Sequence, residues 1–174
     1  MTMGFKDTSV YDNHEFFKAY ISRRNRKESP NNIIEKPVLL ELMGDVTGKT
    51  ILDLGCGDAR FGYELIEQGC YFYEGVEGSV NMINEAVKML NGTNGKVHYS
   101  LIEDWNYPEK QYDLVTSRLA LHYLAELESI FKQVYNSLKR HGRFIFSIQR
   151  PASSFNIVYK KCFNPFLTNR LDSG

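Results

Sequence analysis

The chain has 174 residues, 43% hydrophobic and 24% charged, with 21 Lys plus Arg balanced by 21 Asp plus Glu. These values exclude a disordered, collagen-like or coiled-coil chain, and a domain of this length buries roughly 70% of its unfolded surface without help from disulfides or metals. Zero net charge draws the chain toward neither nucleic acid nor an anionic membrane. Cys56, Cys70 and Cys162 are odd in number and lack metal-ligand spacing, so neither zinc nor a disulfide framework is expected and a reducing cytoplasm is the expected location. The opening residues carry no apolar signal segment, and no run of about 18 apolar residues reads as a membrane span.

One domain is expected, with an N-terminal helical lid (1–45), a βα core (46–150) and a tail (151–174). The spacing of Phe16, Phe17, Tyr20 and Ile21 predicts a helix over Val10 to Arg23, ended by a polar break from Asn25 to Asn32. The basic run Arg23 to Lys27 reads as a solvated helix end. A second helix is predicted over Ile33 to Met43, with Pro37 either kinking it or marking a later start.

From Lys49 short apolar runs alternate with helical windows. Strands are predicted at Thr50 to Leu54, Tyr71 to Val76, Lys96 to Leu101, Tyr112 to Ser117 and Arg143 to Ile148. The intervening helices are Arg60 to Gln68, Ser79 to Leu90, capped by Ser79, and Glu126 to Leu138. This alternation implies βαβ units and a doubly wound parallel sheet. In the tail, Ser153 to Lys161 reads as the start of a helix that Asn164-Pro165-Phe166 breaks.

Ligands of such sheets sit beyond the carboxyl ends of the strands, near the switch in strand order. The first strand runs into Asp53-Leu54-Gly55-Cys56-Gly57, where two glycines let the backbone turn sharply beside a ligand. Glu77 follows Gly57 by 20 residues, the place of an acidic group that accepts from ribose hydroxyls. Glu103-Asp104-Trp105 follows the third strand, and Ser117-Arg118-Leu119-Ala120-Leu121-His122-Tyr123 closes the fourth. A dinucleotide fingerprint needs a small residue where this chain has Arg60, which disfavours a nicotinamide- or flavin-dependent oxidoreductase. His98 and His141 read as surface or strand-end residues, and Cys56 as a small residue that fits a tight turn.

Ile51-Leu52-Asp53-Leu54-Gly55-Cys56-Gly57 resembles the first motif of the class I S-adenosylmethionine-dependent methyltransferases. Gly75-Val76-Glu77-Gly78-Ser79 with Met82 resembles the second, Tyr112 to Ser117 with Leu121-His122-Tyr123 the fourth-strand motif, and Leu138 to Ser147 the approach to the fifth strand, with Arg140-His141-Gly142 where the family has Pro-Gly-Gly. The similarity covers Val10 to Pro151 and is nearest to ubiquinone-biosynthesis-like and other small-molecule methyltransferases.

The resemblance implies a Rossmann-like α/β sheet of order 3-2-1-4-5 and S-adenosyl-L-methionine as cofactor. Asp53 would favour its ammonium and sulfonium charges and Glu77 its ribose, while Glu103 or Asp104 would meet the adenine amino group. Ile102 or Met82 would touch the ring, with Trp105 stacked nearby. Gly55, Cys56, Gly57, Gly78, Ser79, Ser117 and Leu119 would line the site, Tyr20 would reach the cofactor carboxylate, and Tyr11 and His14 would fold over it. His122 is the candidate base. The chain has no Pro-Cys dipeptide and no Asn/Asp-Pro-Pro-aromatic motif at the fourth strand, so a small-molecule acceptor is expected rather than a DNA base.

Family members normally continue with two further strands, the last antiparallel beside the fifth. Their apparent lack here predicts an exposed fifth-strand edge. That edge would pair with a second copy, be covered by the tail, or mark a piece of a longer enzyme. The function expected is methyl transfer to a small molecule. The alternative is a cofactor-binding but inactive relative.

Overall fold

The computed structural model describes residues 31–148 in full, the backbone of Gln149 and of Asn156–Cys162, and the isolated residues Asn13, Glu15, Ser22 and Ser29. The helix expected over Val10 to Arg23, with Tyr11, His14 and Tyr20, and the basic run after it lie outside the described residues.

Chain order is α1 (Lys36–Met43), β1 (Thr50–Leu54), α2 (Arg60–Glu67), β2 (Phe72–Glu77), α3 (Val80–Leu90), β3 (Gly95–Tyr99), β4 (Tyr112–Arg118), α4 (Leu127–Ser137), β5 (Leu138–Gln149) and β6 (Asn156–Cys162). A π-helical turn, Asn31–Glu35, leads into α1, and Pro37 falls in the first turn of α1. Of the two readings of Pro37, the later helix start therefore holds, because a first-turn residue has no intrahelical partner for the N–H that proline lacks.

The strands form one sheet of order β3-β2-β1-β4-β5-β6, parallel from β3 to β5. The chain winds outward from β1 to β3, then returns across β1 to β4, so the strand order reverses between β1 and β4. Alternation along each strand feeds two cores. On one face Ile51, Tyr73, Leu114 and Ile145 meet Leu39 and Met43 of α1, Phe61 and Leu65 of α2, and Ala86 and Leu90 of α3. On the other, Leu52, Leu54, Val76, Val115 and Phe144 meet Ile130 and Val134 of α4. The i, i+4 spacings Met82–Ala86–Leu90 and Ile130–Val134 give each helix one buried stripe. Arg143 of β5 donates to the carbonyls of Leu42 and Met43 at 3.2 and 2.5 Å, satisfying the open end of α1 and pinning that helix to the sheet.

Two expectations about the chain's final third are corrected. Asn156–Cys162 is a strand, not a helix, and it pairs antiparallel with β5 from Arg143↔Cys162 to Gln149↔Asn156. The fifth strand is therefore not an open edge offered to a second copy. The tail covers it, in the antiparallel place that the resemblance assigns to a final strand. A short run such as Ile157-Val158-Tyr159 fits either period, and the unpaired β5 backbone beside it decides the outcome. β5 also starts earlier than expected: Leu138 pairs Tyr112, then Arg143 pairs Leu114, with a bulge between them that holds exposed His141 at φ 67°.

Candidate functional site

The β1–α2 turn is built on backbone that side chains would obstruct. Gly55 sits at φ 74°, and a Cβ there would lie 2.5 Å from the Ala120 Cβ and 3.7 Å from Ile102 Cδ1. The ends of β1 and β4 and the loop after β3 thus converge on one bare residue. Gly57 follows at φ 61° and Ala59 at φ 55°, the last as the residue that opens α2. Cys56 is buried over the bare backbone of Gly75 in β2, as expected of a small residue in a tight turn.

Glu77 ends β2 and is 6% exposed. One carboxylate oxygen accepts from the Gly57 N–H at 2.8 Å and the other from the Ser79 N–H at 2.9 Å. A single carboxylate therefore ties the glycine turn to the start of α3, where Ser79 caps the helix by accepting from the Met82 N–H at 3.4 Å. A carboxylate can accept about four hydrogen bonds, so these two anchors can share it with other donors. Met82 is buried below, and Gly78 lies between the two anchored residues.

Asp53 is 2% exposed and accepts from the Tyr73 hydroxyl at 2.7 Å. Burial, with the Asp53 charge beside it, pushes the Tyr73 hydroxyl well above its usual range, so it stays a donor. The Tyr73 ring lies where α2 crosses the sheet, and a Cβ on Gly62 would fall 2.1 Å from it. Gly62 thus supplies the close helix–strand approach that a dinucleotide fingerprint would place at Arg60. The sequence signal is a glycine five residues after Gly57, and the motif reading passes over it.

Beyond β3, Ile102 is buried, Trp105 partly buried, and Glu103 and Asp104 are exposed. His98 lies at the end of β3, one of its two expected places, and it is partly buried: its Nε2 lies 2.8 Å from Glu74 Oε1 and its ring centroid 4.7 Å from that of Trp105. Near the end of β4, buried Ser117 donates to the Leu54 carbonyl at 2.8 Å, and just beyond the strand Leu119, at φ 54°, donates to the Ser147 carbonyl at 3.0 Å. His122 lies in a one-turn 3₁₀ segment, Leu121–Tyr123. Its ring lies tilted against that of Tyr123, 4.1 Å between centroids, its Nδ1 is buried with no hydrogen-bond partner among the described residues, and burial lowers its pKa below the ordinary 6.5.

Sequence reasoning missed the cluster around Arg118. Its guanidinium donates to both carboxylate oxygens of Glu35 at 2.5–3.2 Å and lies 4.5 Å from the Phe61 ring centroid. The Ser147 hydroxyl donates to Glu35 at 2.6 Å. Four separate segments meet there, which no local motif announces.

A profile described as methyltransferase domain matches residues 51–142, more than half of the chain. An uncharacterized protein of Haemophilus influenzae is 32% identical over 152 residues, covering 84% of this chain and 60% of the relative. A crystal structure of an S-adenosylmethionine-dependent methyltransferase from Mesorhizobium loti superposes with TM-score 0.65 at 31% identity, covering 67% of this chain and 54% of that one. Phosphoethanolamine N-methyltransferase 3 of Arabidopsis thaliana is 26% identical over 121 residues, 66% of this chain and 25% of that protein. The chain thus spans between a quarter and three fifths of these relatives' lengths. A glycine turn, an anchored glutamate and a reversed strand order on the matched segment agree with these likenesses, and the chain belongs to the class I S-adenosylmethionine-dependent methyltransferases.

Proposed function

We propose that this chain holds S-adenosyl-L-methionine where β1 and β4 part and passes its methyl group to a small-molecule acceptor. The observation that carries the reading is the Glu77 carboxylate, pinned by the N–H groups of Gly57 and Ser79 beside the Gly55 turn. A buried anion fixed by two backbone donors is costly to desolvate, and ribose hydroxyls donating to the same carboxylate repay that cost. The rim fits the cofactor's chemistry, since the ligand's cationic end needs negative charge and its nucleoside end needs acceptors and an apolar wall. When bound, the cofactor supplies a methyl carbon on a sulfonium, so alignment and exclusion of water carry most of the rate.

The chain's own residues divide the work. Asp53, fixed by Tyr73 beneath the turn, places negative charge under the methionine end. Met82 or Ile102 walls the ring, with Trp105 beside it, and Glu103 or Asp104 meets its amino group. Cys56, Gly78, Ser79, Ser117 and Leu119 shape the lining. His122, kept neutral by burial, takes a proton from an acceptor that must lose one. Tyr20, outside the described residues, stands as the proposed partner of the cofactor carboxylate.

A second reading rests on the fraction of its relatives' length that the chain spans: the chain binds the cofactor, and further polypeptide completes the acceptor pocket. Incubation with methyl-labelled cofactor and pools of small amines, phosphoethanolamine among them as suggested by the plant relative's name, separates the two. Label in a small molecule supports the first reading. Cofactor binding with no transfer supports the second.

A further inference from the structure

Glu74 is a carboxylate that the cofactor reading does not use. It lies in the middle of β2, 8% exposed, on the face packed by α4. Its Oε2 accepts from the Tyr112 hydroxyl at 2.6 Å, across β1, and its Oε1 meets His98 Nε2 at 2.8 Å. His98 in turn lays its ring against Trp105, 4.7 Å between centroids at 50°. Trp105 belongs to the loop after β3, which Tyr107 closes on itself by donating to the Ile102 carbonyl at 3.0 Å. Burial and the Glu74 carboxylate push the Tyr112 hydroxyl far above its usual range, so it remains a donor.

A carboxylate buried at mid-strand is seldom the most stable choice, because an apolar side chain of similar volume packs there as well or better. What the carboxylate adds is direction. Two partners on different strands fix its plane, its second oxygen fixes the imidazole, and the imidazole fixes the indole. The path runs from the floor of the sheet to the loop that carries Ile102, Glu103 and Asp104, and it touches none of the rim carboxylates.

We propose that Glu74 and His98 are positioning residues for base recognition: through Trp105 they hold the 101–107 loop so that its residues read the adenine end of the cofactor. The proposal deepens the cofactor reading above and rests on it. Glu74 and His98 touch no ligand. They act through the indole, and their loss costs selectivity for the base more than grip on the ribose or methionine.

The test compares S-adenosylhomocysteine with S-inosylhomocysteine, which has a carbonyl in place of the adenine amino group, by calorimetric titration of the full chain. The wild type is expected to bind the adenine compound and prefer it. His98→Ala should weaken that binding about five- to twentyfold and shrink the preference, the inosine compound losing much less. Glu74→Gln keeps the shape and the Tyr112 bond and guards against a variant that fails to fold; it should lose less, in the same direction. Trp105 is the chain's single tryptophan, so its emission should rise in His98→Ala as the quenching imidazole leaves. Equal losses for both compounds, unchanged binding of both, or a wild type without base preference would overturn the proposal. A wild type that binds neither compound brings down the cofactor reading itself, and that arm involves no variant.

Discussion

The two ends of the carboxyl rim are held by different kinds of contact. At the β1–β2 end, Glu77 reaches Gly57 and Ser79, 20 and 2 residues away in the chain. At the β4–β5 end, Glu35 reaches Arg118 across 83 residues and Ser147 across 112. The first is a local device of one βαβ unit and forms with it. The second joins the Asn31–Glu35 turn to β4 and β5, so long-range packing decides its geometry. One end is therefore written in a motif, while the other exists only in the folded molecule.

The largest expected effect breaks the distant end. Glu35 is buried and the Arg118 side chain is 13% exposed, so Glu35→Ala strands a guanidinium and should cost about 3–5 kcal/mol in urea unfolding. A loss below about 1 kcal/mol would show that the pair forms no closed contact in solution. Next comes the local end. Gly62→Ala drives a methyl group toward the rigid Tyr73 ring and should cost about 3 kcal/mol, the upper part of the range for overpacking. A neutral result would mean that α2 stands further from the sheet.

Tyr73→Phe is milder. It removes one donor to Asp53, for about 1.5 kcal/mol, the lower part of the range for bonds to charged groups. The Asp53 contribution to cofactor binding should weaken in parallel, which titration of the variant reads.

The smallest effect is one of pH. Burial lowers the His122 pKa, so the unfolded chain binds its proton more readily than the folded one. The stability this contributes is complete above the ordinary 6.5 and is lost as pH falls from there through the lower folded value. His122→Phe should flatten that slope in unfolding measured across the same window, and an unaltered slope would assign it to another group. The same depression leaves the imidazole neutral, as a base must be, throughout the neutral range.

Legibility in the sequence follows the same division. The order 3-2-1-4-5 follows only from the family resemblance, whereas the alternation of strands and helices, the glycine turn and the place of Glu77 beyond it are readable because each depends on residues close in the chain. Ser79 is readable as a cap for the same reason. β6 is not, since Ile157-Val158-Tyr159 suits two periods and only the β5 edge selects one. Nor is Arg118, a charged residue next to a strand end, whose partner Glu35 reads locally as an ordinary helix carboxylate. His98 reads as a surface or strand-end residue, and it does lie at the end of β3, but nothing nearby in the chain shows Glu74 beneath it. Gly62 is a different failure: its reason is the Tyr73 ring on the neighbouring strand, yet the glycine itself is visible.

The account's central claim is that one anchored carboxylate at the local end grips the ribose. Calorimetric titration of the wild type and Glu77→Ala with S-adenosylhomocysteine tests it most directly, with thermal melting of the variant to establish that it is folded. The account predicts saturable binding to the wild type, weakened by about 1.5–3 kcal/mol in the variant, the scale of a hydrogen bond to a charged group. Equal affinities for the two folded proteins would contradict it.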